Sequence, residues 1–228
     1  MRRVLEAIDE VRVPRRRSSD RTRGEPGEFG PYVRMVKPLL DVLMATVLLV
    51  VTVPILVAVA MAVYVEYGRP IFFRQSRVGR GGRVFRVTKF RTMEPDRRGA
   101  GGRIPRSPDR RRTHKPQHDP RVRPVGRFLR TWSLDELPQL LNVLTGDMSL
   151  VGPRPELAQV VEHYEDWQHA RHRVKPGITG LWQVSAREIP MHEATHIDLE
   201  YLRRVSLAED VRILARTLPA AFGARRGF

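Results

Sequence analysis

The sequence predicts an α+β chain, mainly helical, in which an apolar helical segment in the membrane precedes a small cytosolic head of one short β-hairpin and amphipathic helices. Three observations carry this. From Val42 to Val65 no residue is charged. A Gly-rich turn, Gly79-Arg80-Gly81-Gly82, separates two short stretches of strand composition. Val211, Leu214 and Leu218 recur at helical spacing behind a capping box, Ser206 to Glu209. The chain divides into a basic tail (1–33), a membrane segment (34–68) and a head (69–228).

The tail is rich in Arg, Pro, Gly and Ser, which predicts a mostly disordered segment with room for a short helix at Arg2–Val11. No apolar core follows its charges closely, so it does not read as a secretory signal. The whole chain has 228 residues, a formal net charge of +16 and no cysteine. Such a surface seeks anions: nucleic acid, acidic lipid or phosphorylated substrates. Disulfides, thiolate zinc sites and cysteine nucleophiles are excluded.

The uncharged run spans about 24 residues, or roughly 36 Å as a helix, enough to cross a bilayer. Two features complicate a straight span. Pro54 lies near its middle and removes a backbone hydrogen bond. Basic residues flank both ends: Arg34 and Lys37 before, then Arg69, Arg74 and Arg77 after. The positive-inside tendency wants both ends in the cytoplasm. From the residues alone, a re-entrant hairpin broken at Pro54 and a spanning helix both remain open. Asp41 sits near the interface in either.

Beyond it, PIFFRQSRVGRGGRVFRVTKFRTM predicts two strands joined by the Gly-rich turn, a plain hairpin in preference to a phosphate cradle. Residues 94–118, with no apolar period, read as a mobile basic loop. Helices are predicted at about 134–145, 155–170 and 207–218. Pro155 suits the first turn of the second. In the third, Arg212 and Arg216 oppose the apolar face, as on a core-packed or bilayer-lying helix.

The stretch SLDELPQ, residues 133–139, carries the central ambiguity. Ser133 followed by Glu136 is a capping box, with Asp135 complementing the helix dipole. Pro138 disturbs that reading and moves the helix start toward Leu137. The surroundings suggest chemistry. Arg121, Arg123, Arg127 and Arg130 precede the acidic pair, Arg154 follows it, and Lys89 and Arg91 lie in KFRTM. Carboxylates among cations suit a phosphate bound through Mg²⁺, which favours a few carboxylates plus phosphate oxygens. Adjacent residues point apart, so one acid could attack phosphorus while the other binds metal or moves a proton.

KFRTM, then DPRVRPVGRFLRTWSLDELPQLLNVLTGDMSLVGPRPE, then KPGITGLWQVSAR together resemble the small monotopic polyprenyl-phosphate glycosyl-1-phosphate transferases of bacteria, the bacterial sugar transferases. The resemblance runs from about Lys37 to Leu218. It implies a phosphoglycosyltransferase reaction: a nucleotide-diphosphate sugar, usually a UDP-sugar, gives its sugar-1-phosphate to polyprenyl (undecaprenyl) phosphate. This is the first membrane step of glycoconjugate or exopolysaccharide assembly. It implies Asp135 as nucleophile of a covalent phosphosugar intermediate, Glu136 as its assistant, and Mg²⁺ bound at this pair. It further implies phosphate binding by Lys89, Arg91, Arg130 and Arg154. It tips the membrane segment to a re-entrant helix–break–helix hairpin at Pro54, at the inner membrane with the catalytic domain on the cytoplasmic face. Membrane lipids are implied partners, nucleic acid is not expected, and homodimers occur among relatives.

Some positions depart from the family pattern. Arg123-Pro124 stands where Thr is usual, loop 94–118 is longer, and Val53 precedes the proline where a small polar residue is common. The multi-span N-terminal region of larger members has no counterpart in these residues.

Two rival readings come from other motifs. His192-Glu193-Ala194-Thr195-His196 spells the zinc metalloprotease signature, with Glu200 the nearest further ligand, but its flanks lack an apolar stripe. A membrane-tethered nucleic-acid binder fits the charge, yet the basic stretches lack interleaved aromatics. His163, His169 and His172 read as surface residues. Trp182 and Gln183 are candidates to line the site, Trp182 equally for the core.

Overall fold

The computed structural model describes residues 29–94 and 119–222. The expectations for the tail before residue 29, including the Arg2–Val11 helix, and for the basic loop beyond residue 94 lie outside the described residues. After a π-helical turn at Tyr32–Val36 comes α1, Lys37–Tyr67. Strands β1 (Phe72–Val78) and β2 (Val84–Phe90) follow, then α2 (Pro124–Thr131), a 3₁₀ segment at Leu134–Gln139 and α3 (Leu140–Leu144). Next are β3 (Ser149–Val151), α4 (Ala158–Val161), a 3₁₀ segment at Asp166–Arg173, β4 (Gly177–Thr179), α5 (Leu181–Ser185), α6 (Thr195–Arg204) and α7 (Leu207–Phe222).

The long apolar helix is helical throughout, with Pro54 inside it. The expected break at Pro54 does not interrupt the helical secondary structure. One stripe of α1 packs on the head. Ala45 and Leu49 join a core of Phe85, Val87, Leu140, Val143, Met148, Leu150, Val151, Tyr201 and Ile213. Leu56, Val59, Ala60, Val63 and Tyr67 join a second core with Phe90 and Leu129. The opposite face stays bare: Val50, Val51, Val57, Met61 and Val65 are all exposed. Each such side chain left in water forgoes about 1.5–3 kcal/mol of burial, so this face calls for apolar surroundings. By length and composition α1 is able to cross a membrane.

Polar contacts fasten both ends of α1 to the head. At the start, Lys37 Nζ lies 2.5 Å from Asp210 Oδ2, which also accepts from Tyr32 at 2.6 Å. Asp41 accepts from the Leu150 amide at 3.1 Å. At the far end, Glu66 accepts from the amides of Val125 and Gly126 at 3.2 and 3.3 Å. No side chain of α2 caps its own N-terminus, and Glu66 does so from outside, meeting otherwise unpaired donors.

The β-hairpin is as expected, antiparallel with Phe72 opposite Phe90 and Val78 opposite Val84. The helix expected at 134–145 is instead a 3₁₀ segment passing into α3. Pro138 has no N–H for an α-helical ladder there. The helix expected at 155–170 is also corrected. Glu156 is held extended by an antiparallel bridge to Val78, whose N–H donates to the Glu156 carbonyl at 2.9 Å. Only Ala158–Val161 is α-helical, before the 3₁₀ segment at Asp166–Arg173. The third helix stands, capped by Ser206 Oγ accepting from the Glu209 amide at 3.3 Å. The parallel pairing of β3 with β4 was not foreseen.

Candidate active site

The acidic pair lies on the 3₁₀ segment after α2, where it packs against β2. Ser133 enters it in the left-handed region (φ +54°) and makes no side-chain cap. The capping-box reading is therefore wrong here. Glu136 reaches across the fold instead of back to its own helix start.

Its carboxylate is clamped. Oε1 accepts from Lys89 Nζ at 2.6 Å and from Arg154 Nη2 at 2.8 Å, and Oε2 accepts from Arg154 Nη1 at 3.4 Å. Burial would raise its pKa, but Arg154 and Lys89 overcome this and hold it well below the usual carboxylate range. Asp135 differs. Among the described residues no group donates a hydrogen bond to it. Burial and the adjacent Glu136 charge push its pKa up to about 6, against the pull of Lys89, Arg130 and Arg154. The two carboxylates thus have separate tasks: one is a fixed anion, the other is available.

Of the predicted cations, Lys89, Arg130 and Arg154 gather around the pair. Burial lowers the Lys89 pKa, opposed by Glu136. Arg130 is aimed by its Nε donating to Thr92 Oγ1 at 2.8 Å. Arg91 goes elsewhere. It donates to the carbonyls of Tyr67, Gly68 (2.9 Å) and Arg69 (3.2 Å) and lies over the Tyr67 ring. No contact among the described residues joins it to the acids. It secures the C-terminal end of α1, a favourable place for a cation.

Two site residues escaped the sequence reading. Arg187, just after α5, has its pKa lowered by burial and by Arg154, with Glu136 and Asp135 opposing. It closes the motif KPGITGLWQVSAR, which was its available signal. Arg77 donates to the Pro155 carbonyl at 3.2 Å and to Glu156 at 3.4 Å, supporting the loop that carries Arg154. Burial and Arg154 lower its pKa to about 10. Trp182 donates to the Ile189 carbonyl at 3.1 Å and Gln183 to the Ile178 carbonyl at 3.2 Å.

The zinc-protease motif is not assembled. His192 and Glu193 lie in a turn ahead of α6, so His192 and His196 do not share a helical face. Among the described residues no three His, Asp or Glu groups converge as a metal cage. His163 and His169 are exposed as expected, while His172 is buried, with 9% of its surface accessible.

The residues fit Mg²⁺ in one way. Glu136 is already neutralised by two cations, whereas Asp135 offers a carboxylate without hydrogen bonds. Mg²⁺ commonly takes one or two carboxylates and completes its shell with waters and substrate phosphates.

Residues 32–224 match the family model described as bacterial sugar transferase. The chain is 39% identical over 198 residues to the UDP-glucose:undecaprenyl-phosphate glucose-1-phosphate transferase of Escherichia coli (strain K12). That match covers 83% of this chain and 40% of the relative, so the chain spans less than half of that protein. It is 38% identical over 206 residues to the exopolysaccharide production protein ExoY of Sinorhizobium fredii, covering 86% of this chain and 89% of ExoY. A UDP-glucose:undecaprenyl-phosphate glucose-1-phosphate transferase of Caulobacter vibrioides is 39% identical, with 84% of this chain and 73% of the relative covered. With a family match from the first turn before α1 to beyond α7, and these relatives along most of its length, the chain belongs to the bacterial sugar transferase family.

Proposed function

We propose that this protein transfers sugar-1-phosphate from a UDP-sugar to undecaprenyl phosphate, as the names of its relatives describe for them. The observation that carries the proposal is an available carboxylate, Asp135, beside a carboxylate fixed by Lys89 and Arg154. An Asp135 oxygen attacks the phosphorus that bears the sugar. The bond to the nucleoside monophosphate breaks, and that product leaves with the electron pair. A phosphate oxygen of the lipid then attacks the same phosphorus, the acyl-phosphate bond breaks, and the Asp135 carboxylate is restored. Phosphoryl transfer needs mainly positioning and charge neutralisation, and Arg130, Arg154 and Arg187 supply cationic donors around the pair. Bound Mg²⁺, held by Asp135 and the donor phosphates, would neutralise diphosphate charge.

The reaction joins a soluble donor to a lipid. Leu134, next to Asp135, packs in the same core as Val59 and Val63 of α1, which supports a site at the membrane boundary. Both ends of α1 bind one head, through Lys37–Asp210 and Glu66–Gly126. This supports a re-entrant α1 bent within the bilayer near Pro54, with both ends and the catalytic domain on the cytoplasmic face of the inner membrane. Single cysteines at positions 30 and 69 of this cysteine-free chain test it: both react from the cytoplasmic side only, and opposite-side labelling overturns the topology. The activity is tested with a radiolabelled UDP-sugar, polyprenyl phosphate and Mg²⁺. Wild type labels the lipid, and mass spectrometry finds sugar phosphate on Asp135. Asp135→Asn does neither but stays on membranes. Full activity in Asp135→Asn refutes the nucleophile.

A further inference from the structure

From sequence the Gly79–Gly82 turn is only the connection of a β-hairpin. In the fold it also meets the 3₁₀ segment Asp166–Arg173. Arg80, Gly81 and Gly82 line a cavity of about 310 Å³ together with His169, His172 and Arg173. None of the six belongs to the acidic pair or its cations. Arg171, within the same segment, is committed elsewhere: it pairs with Asp198 at 2.7 Å and donates to the Arg154 carbonyl at 2.7 Å. The cavity therefore adjoins the catalytic machinery without sharing a side chain with it.

The lining contains two guanidinium groups and two imidazoles, and no carboxylate. His172 is the informative member. It is 91% buried yet lines the cavity, and it makes no hydrogen bond to any described residue. Its ring stacks on Tyr164, with centroids 6.1 Å apart and planes 8° from parallel, which fixes its orientation. Burial, Arg171 and His169 push its pKa down to about 3, so it is neutral and carries one ring N–H. A ligand oxygen in the cavity would accept from that N–H. Gly81 and Gly82 have φ of +66° and +76°, and an added Cβ at either meets nothing within 4 Å. The turn thus needs glycine for its conformation and leaves open space above its backbone.

We propose that this cavity is a second anion site, separate from the Asp135 centre, which binds a phosphate group through Arg80, Arg173 and the His172 ring. Guanidinium forks match phosphate oxygens, and charge-assisted hydrogen bonds are the stronger kind. The phosphate could be carried by a soluble molecule or by a lipid headgroup, and the test separates these sources.

Inorganic pyrophosphate is titrated calorimetrically into the full chain in phosphatidylcholine nanodiscs. Wild type binds two equivalents, and a UDP-sugar displaces only one. Arg80→Ala/His169→Ala changes two exposed side chains and retains the donor KM, but its second binding event is weakened at least tenfold. In nanodiscs containing phosphatidylglycerol, loss of the second event in wild type assigns the site to headgroups; its persistence assigns it to soluble phosphates. The proposal is overturned if wild type binds only the equivalent that donor displaces, or if the double variant binds both equivalents with wild-type affinity.

Discussion

Lys89 Nζ lies 2.6 Å from Glu136 Oε1, and Arg154 reaches the same oxygen at 2.8 Å. Lys89 comes from β2 and Arg154 from the loop after β3, so Glu136 ties two elements together at the site. Asp135, one residue earlier, has no such clamp. A carboxylate proposed to form and release a bond to phosphorus needs an oxygen that no protein donor holds, whereas its neighbour can organise charge. The two acids are not interchangeable.

On the proposed mechanism Asp135 loses its proton to attack. With burial and Glu136 pushing its pKa up to about 6, the rate of transfer should rise with pH across a limb near 6, moved lower by bound Mg²⁺. Glu136→Gln removes the second-largest cause of that raised pKa, after burial, and frees Lys89 and Arg154 to face Asp135. The limb moves to lower pH in this variant, while the plateau rate falls about 10²-fold. A pH profile of kcat/KM for both proteins checks this; an unmoved limb removes Asp135 as its source.

The same shift affects stability. Asp135 holds its proton in the folded protein at pH values where the unfolded chain has lost it. Its contribution is thus most favourable below about pH 4 and is lost as pH rises to about 6. At pH 7.5 Asp135→Asn removes a charge that folding disfavours. It should stabilise the protein by about 1–2 kcal/mol, after allowing for screening at a partly exposed group, and raise the thermal midpoint by roughly 2–6 °C. Dead activity with a higher midpoint is the expected pair of results; a lower midpoint contradicts the assigned environment.

The sequence made the acidic pair, Lys89, Arg130 and Arg154 legible because these lie in contiguous motifs whose chemistry points one way. Arg91 stands apart from that cluster for a physical reason. Alternation puts it on the same strand face as Lys89, but β2 ends at Phe90 and the carbonyls of Tyr67, Gly68 and Arg69, at and just beyond the end of α1, claim the guanidinium. The Ser133 box failed because its logic assumes extended backbone at the cap, whereas Ser133 is left-handed. The hairpin and α7 were legible through local turn and cap residues. The β3–β4 pair and the bridge from Val78 to Glu156 depend on segments far apart in the chain, which no local pattern encodes.

Gly126 offers a test of how closely α2 must approach the end of α1 and the segment after β2. A Cβ there would fall inside contact distance of the Tyr67 hydroxyl and the Thr92 carbonyl oxygen. Thr92 also aims Arg130. Gly126→Ala should cost about 1–3 kcal/mol through overpacking and should lower kcat by shifting Arg130 relative to Asp135. Thermal denaturation and steady-state kinetics at a permissive temperature separate the two effects. Unchanged kcat would show that Arg130 tolerates the shift.

Asp210 gathers three donors at the start of α1: Lys37 at 2.5 Å, Tyr32 at 2.6 Å and, on its other oxygen, Tyr201 at 2.7 Å. Lys37 and Asp210 are both more than nine-tenths buried. Removing one charge of a buried pair strands the other, at a cost of about 3–5 kcal/mol, whereas replacing both can be nearly neutral. Asp210→Asn should lower the thermal midpoint by about 10 °C. Adding Lys37→Met to it should restore most of that loss, so the two substitutions are strongly non-additive. If the interaction instead served only to hold α1 against the head, the double variant would be the least stable of the set. Melting curves of wild type, both single variants and the double variant, all in the same lipid, distinguish the two outcomes.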